Sequence, residues 1–201
     1  MAALRALALS GGDWVLWFLL GASVLAVAVI LERAAVFWRE GRSSRALGVL
    51  SQAPLLRKDW DALSRLAAEY PGVLALILGA AAQAAPSGSG AVEERALSAR
   101  LEAKRLLDRR LIVLGTLGNS APFIGLFGTV LGIIRAFQDL SQSAAGPEAV
   151  MRGLSQALIA TAFGLLVAIP SAMAYNYFLR RMETLLDEAE RLVRLLSSTL
   201  K

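Results

Sequence analysis

The sequence predicts an all-α membrane protein with three transmembrane helices, and three observations carry that prediction. The 201-residue chain is 56% hydrophobic with a mean hydropathy of +0.57, more apolar than an average soluble domain. Three stretches, 14–38, 111–137 and 153–179, each reach the roughly 20 apolar residues that cross a bilayer at about 1.5 Å per residue. The Lys and Arg residues are shared very unequally among the segments that connect them, as topology signals are.

Composition also excludes function classes. There is no cysteine and no histidine, so a disulfide framework, a Cys/His metal site and thiol or imidazole catalysis are all ruled out. The formal charge of +5 sits beside apolar spans, without interleaved aromatics, so the basic residues read as topology signals and not as a nucleic-acid surface. No acid, base and nucleophile converge in the sequence, so no enzyme is expected. No organic cofactor or metal is expected either.

Residues 1–13 form a short N-terminal segment with one basic residue, Arg5. The first span, 14–38, has Trp14 and Trp17 at one end and Phe37 and Trp38 at the other, an aromatic belt for each interface. Ala26-Val27-Ala28 is similar to a signal-peptidase site. A cleaved signal carries its positive charge before the apolar run, however, and here Arg33, Arg39, Arg42 and Arg45 follow it. A retained anchor is the expectation.

Segments 39–110 and 180–201 hold twelve and five Lys/Arg, whereas 1–13 and 139–152 hold one each. The positive-inside bias puts the N-terminus and the loop 138–152 outside, and the segments 39–110 and 180–201 in the cytoplasm. The segment 39–110 reads as helical. Ser43–Gln52 and Trp60–Glu69 are expected as short amphipathic pieces separated by Pro54 and closed by Pro71-Gly72. Val73–Ala85 is too short to span and is expected as a buried or interfacial helix. Pro86-Ser87-Gly88-Ser89-Gly90 reads as a flexible joint. From Val92 a charged helix is expected to run unbroken into the second span. The third span is expected to continue past Arg180-Arg181 as a cytoplasmic helix, with Leu185, Ala189, Leu192 and Leu196 on one apolar seam. Both long helices would then project into the cytoplasm, to pack in an oligomer or to dock a partner.

The second and third spans carry small and hydroxyl residues where a plain anchor would carry leucine. Gly118, Ala121, Gly125, Gly128 and Gly132 recur at alternating spacings of three and four, a stripe along one helix face. Ala157, Thr161, Gly164, Ala168, Ser171 and Tyr175 repeat the pattern in the third span. Such stripes let helix backbones approach closely, which is also all that helix packing requires. Counting from the loop, Thr129 and Thr161 lie about eight residues, or ~12 Å, into the membrane at one level. Asn119, Ser120 and Ser171 form a second polar tier deeper down. Each hydroxyl has the ordinary alternative of bonding back to its own helix. Pro122 and Pro170 interrupt the backbone ladders of their helices, as structural kinks or as hinges.

A proton relay through a membrane needs a group that changes protonation. The interiors of the second and third spans offer only Tyr175 and Tyr177, whose ordinary pKa is about 10. If protons pass, the titrating acid belongs to another chain.

Two stretches are recognisable. Asn119-Ser120-Ala121-Pro122-Phe123-Ile124-Gly125-Leu126-Phe127-Gly128-Thr129-Val130 resembles the second-span motif of the ExbB/TolQ/MotA proton-channel family. Ala157-Leu158-Ile159-Ala160-Thr161-Ala162-Phe163-Gly164-Leu165, followed by Ala168-Ile169-Pro170, resembles its third-span motif. The likeness covers roughly residues 92–180 and is closest to the TolQ and ExbB branches, with the short N-terminal segment more similar to TolQ.

The resemblance implies a multi-pass protein of the bacterial inner membrane, with residues 1–13 and the loop 138–152 periplasmic. It implies a homopentamer around the single-span helices of an ExbD- or TolR-like partner dimer, which contributes the proton-accepting Asp. Thr129 and Thr161 would face that Asp, with Gln156, Asn119, Ser120 and Ser171 also lining the path and H⁺ as the coupling ion. Gly125, Gly128, Gly132 and Gly164 would pack helices, and Pro122 and Pro170 resemble two prolines that the flagellar stator relatives need. Relatives commonly have Glu where this chain has Gln156, which hydrogen-bonds but cannot titrate. The implied function is a subunit of a motor driven by the proton-motive force, acting on a TonB- or TolA-like protein or on gliding machinery. A non-conducting membrane scaffold is the rival. A solute transporter is disfavoured by the lack of an inverted repeat.

Overall fold

The computed structural model describes residues 13–142 and 147–200. Among these the chain forms seven α-helices and one 3₁₀ turn, with no strand. They are α1 (Asp13–Leu50), α2 (Gln52–Arg57), α3 (Trp60–Glu69), α4 (Val73–Ala84), the turn Ala85–Ser87, α5 (Ser89–Asp108), α6 (Leu111–Gln142) and α7 (Pro147–Thr199). Three of them, α1, α6 and α7, are long and apolar enough to cross a membrane. The described residues are thus all-helical, consistent with an all-α membrane protein. The predicted N-terminal segment, apart from Asp13, lies outside the described residues, as does the middle of the predicted loop 138–152.

Two compact units result. The first joins Met1–Leu31 with Arg110–Asn176, and the second joins Glu32–Arg109 with Tyr177–Lys201. In the first unit, Val15, Leu19 and Ala22 of α1 meet Ala121 and Leu131 of α6 and Val167 and Ala168 of α7 in one buried cluster. Its small members matter as much as the large ones, because alanine and glycine let the backbones close up. Trp14 meets the ring of Phe127 edge-on, with centroids 6.3 Å apart. The outward faces are apolar too, with Phe123, Leu158, Leu166 and Ile169 all exposed. Apolar side chains on that side are what hydrocarbon solvates.

The second unit is built around α4, nine of whose twelve residues are buried. The expectation of a short buried helix holds here, and α4 packs against both α3 and α5. Its start is capped from elsewhere in the chain. Glu40 of α1 accepts the Val73 N–H at 2.9 Å, satisfying one of the amides that a helix N-terminus leaves open. Gly72 before it has φ of +119°, a conformation that favours glycine, and a Cβ there would stand 2.6 Å from Glu40 Oε2. Helix α7 runs unbroken through Arg180-Arg181 to Thr199, as expected, and Leu185, Ala189, Leu192 and Leu196 are all buried. Lys58 Nζ donates to the Thr199 carbonyl at 2.8 Å, a cation at a helix C-terminus.

Three local expectations are corrected. The charged helix does not run unbroken into the second span: α5 ends at Asp108, and Arg110 takes φ of +68° before α6 begins at Leu111. Pro54 does not separate two helices but sits in the first turn of α2, where its missing N–H costs nothing. The stretch Ser43–Leu50 is simply the end of α1. The segment Pro86–Gly90 is no flexible joint: Pro86 and Ser87 belong to the 3₁₀ turn Ala85–Ser87, Gly88 follows at φ of +94°, and Ser89 and Gly90 already belong to α5.

Candidate functional site

The register of α6 against α7 is fixed by glycines. A Cβ on Gly118 would stand 3.1 Å from the Ala172 backbone, and one on Gly125 would stand 2.7 Å from the Ala160 carbonyl oxygen. On Gly128 it would meet Ala160 Cβ at 2.8 Å and Val15 Cγ1 at 3.0 Å; on Gly132, Ala157 Cβ at 2.8 Å. From the α7 side, a Cβ on Gly164 would stand 2.6 Å from the Ala121 carbonyl oxygen. Partner numbers fall along α7 as they rise along α6, so the helices are antiparallel. Any larger side chain on this stripe drives the two backbones apart.

This register brings Thr129 level with Ala160 and Thr161, and Asn119 level with Ser171. The side chains on each level behave differently. Thr129 is 6% exposed, and its Oγ1 donates to the Leu126 carbonyl of its own helix at 2.6 Å. Ser171 is fully buried and donates to the Val167 carbonyl at 2.7 Å. Thr161 is half-buried, yet its Oγ1 is itself buried with no hydrogen-bond partner. An unmade bond of that kind costs about 1–3 kcal/mol. Asn119 is exposed while Ser171 is turned inward, so the deeper tier shares a level but not a face.

Ser120 lines an apolar groove with Trp14, Phe18, Phe123, Ile124 and Phe127. Pro122 is half-buried inside α6, and Pro170 is exposed inside α7.

Gln156 is exposed and lines a cavity of about 520 Å³ with Gly128, Gly132, Arg135, Asp139 and Arg152. Sequence reasoning did not collect Arg135, Asp139 and Arg152 into this site. A signal was present: Arg135/Asp139 and Arg152/Gln156 are both i,i+4 pairs, one on each side of the loop, and the antiparallel register folds them together. Charge at this end of the pair is therefore mixed, with two guanidiniums and one carboxylate on the cavity lining. Among the described residues no group of three or more acidic, His or Cys side chains gathers in a way that holds a metal.

Comparison with known proteins identifies the family. Residues 73–191, more than half of the chain, match the MotA/TolQ/ExbB proton channel family. The chain is 47% identical over 83 residues to the biopolymer transport protein ExbB-like 2 of Helicobacter pylori, covering 41% of this chain and 55% of that one. It is 43% identical over 98 residues to the biopolymer transport protein ExbB of Aquifex aeolicus, covering 48% and 65% respectively. Against the Tol-Pal system protein TolQ of Haemophilus influenzae it is 31% identical over 185 residues, covering 81% of this chain and 76% of that one. The chain thus spans about half to two thirds of the length of the first two relatives. These names describe transport and Tol-Pal system proteins, not enzymes. The matched segment contains α6 and most of α7, with the glycine stripe and both threonines, and the chain belongs to the MotA/TolQ/ExbB proton channel family.

Proposed function

We propose that this chain is the wall-forming subunit of a proton-driven motor in the bacterial inner membrane, and that α6 and α7 line a proton path completed by another chain. The carrying observation is the Thr161 hydroxyl. It is buried and unpaired in this chain, beside a helix pair whose interior has no carboxylate or histidine of its own. A group that leaves a bond unmade at rest gains by rotating toward an acceptor supplied from outside. A carboxylate on a single-span partner helix, of the ExbD or TolR kind, is such an acceptor.

The proposed step is short. The ionised partner Asp is held by the Thr161 hydroxyl at the level of Thr129. Protonation removes its charge, weakens that hydrogen bond and frees the partner helix to move to the next copy of the wall. One proton crossing 100 mV releases about 2.3 kcal/mol, enough to bias such a step in one direction. The cavity around Gln156 gives water a way to the loop end of the pair. Gln156 takes no proton itself but hydrogen-bonds to that water. Five copies around two partner helices are the proposed arrangement, with H⁺ as the coupling ion and a TonB- or TolA-like or gliding protein as the load.

The tight glycine packing is equally suited to a scaffold that conducts nothing. Native mass of the detergent-purified chain, alone and co-expressed with a single-span partner, separates the two. Five copies enclosing two partner chains support the motor. A monomer or dimer that ignores the partner would reject it.

A further inference from the structure

Both α1 and α7 pass from apolar to basic sequence within one turn, at Phe37-Trp38-Arg39 and at Tyr177-Phe178 before Arg180-Arg181. In the second unit these passages meet around a cavity of about 210 Å³, walled by Phe37, Trp38, Arg45, Tyr177, Phe178 and Arg181. Phe37 and Phe178 are buried and stacked, with centroids 5.2 Å apart and planes at 17°. Trp38 and Tyr177, by contrast, are 64% and 63% exposed.

The polar groups on this lining are donors. Arg45 Nε donates to the Gly41 carbonyl at 2.9 Å, which fixes the guanidinium and engages one of its three nitrogens. Arg181 lies against the backbone of α1 at Gly41, where an added Cβ would stand 2.7 Å from its Nη2. The indole N–H and the phenol O–H complete the set. No carboxylate lines the cavity among the described residues, and the two that flank its α1 side in sequence are engaged elsewhere. Glu40 caps Val73, and Glu32 pairs with Arg33 at 2.8 Å.

We infer that this cavity binds the phosphate of an anionic phospholipid headgroup. Two guanidiniums match a phosphate in charge and fork geometry. The exposed indole and phenol suit the ester region of a lipid at the end of an apolar span, and a free anion has no use for them. The inference rests on the membrane reading and is independent of proton conduction.

The test is native mass spectrometry of the full chain in mild detergent, titrated with phosphatidylglycerol and separately with phosphatidylethanolamine. Wild type should retain the anionic lipid preferentially. Arg45→Gln with Arg181→Gln should lower retention at least about tenfold, the scale of losing charge-assisted phosphate bonds. Arg39→Gln with Arg180→Gln makes the same charge change beside the cavity and should leave retention unchanged. Gly41→Ala, which displaces Arg181 alone, should lower it by an intermediate amount. Equal losses in the two double variants would reduce the effect to a diffuse basic belt and overturn the site. Equal retention of the two lipids would overturn it as well. A site that binds inorganic phosphate through Arg45 and Arg181 but retains no lipid would overturn the lipid assignment.

Discussion

The two units of this chain differ in whether polar side chains join one element to another. In the second unit some bond back to their own helix, as Thr184 does to Arg180, but others tie one element to another: Glu40 to the start of α4, Lys58 to the end of α7, Ser197 to Glu93 at 2.9 Å, and Ser43 to the Pro71 carbonyl. In the first unit, Thr129 and Ser171 bond back to their own helices, and Thr161 bonds to nothing. There, close backbone approach does the joining. The contrast follows from solvent. Where water competes for every polar group, an internal bond fixes geometry; in hydrocarbon, helix association rests on packing, and a spare hydroxyl is available for another role.

The contrast breaks hardest at Gly125. Gly125→Val forces side-chain atoms against the Ala160 carbonyl and should cost about 3 kcal/mol or stop the protein accumulating in membranes, read as thermal stability and membrane yield. Gly72→Ala attacks the second unit through its backbone, combining strain at φ of +119° with a clash on Glu40. A loss of about 2 kcal/mol is expected in thermal unfolding. Glu40→Gln weakens the charged cap alone and should cost about 1 kcal/mol by the same measurement.

The smallest effect concerns acid. The hydrogen bond from Arg194, helped by its charge and that of Arg100, holds the Glu190 carboxyl below its usual value despite some desolvation. A lowered folded pKa adds stability above the unfolded value, and that stability is lost as pH falls through the folded one. Glu190 is partly solvated, so Glu190→Gln should lower stability only slightly at pH 7, where that contribution is present, and flatten the loss of stability below about pH 4.5.

Much of this was legible in the sequence, for physical reasons. The seam of α7 follows a 3.6-residue period that burial enforces, and the glycine stripe of α6 has no other use on a helix in lipid. The level of Thr129 with Thr161 follows from counting back from the loop. Which way a hydroxyl points does not, because a threonine on a helix chooses between its own carbonyl and a neighbour by rotamer alone. The break at Arg109-Arg110 was hidden because arginine is a good helix former and neither Gly nor Pro marks the site. Pro54 misled in the opposite sense, since proline is harmless in a first turn. The Arg45 and Arg181 cavity depends on Gly41, whose role is visible only once α1 and α7 lie side by side in the second unit.

The most direct measurement is proton flux into proteoliposomes holding this chain with its single-span partner, for wild type and for Thr161→Val. The hydroxyl makes no bond in this chain, so the variant should assemble and be at least as stable. The account predicts flux only when both chains are present, and its loss in Thr161→Val. Undiminished flux in that variant, or flux from this chain alone, would contradict it.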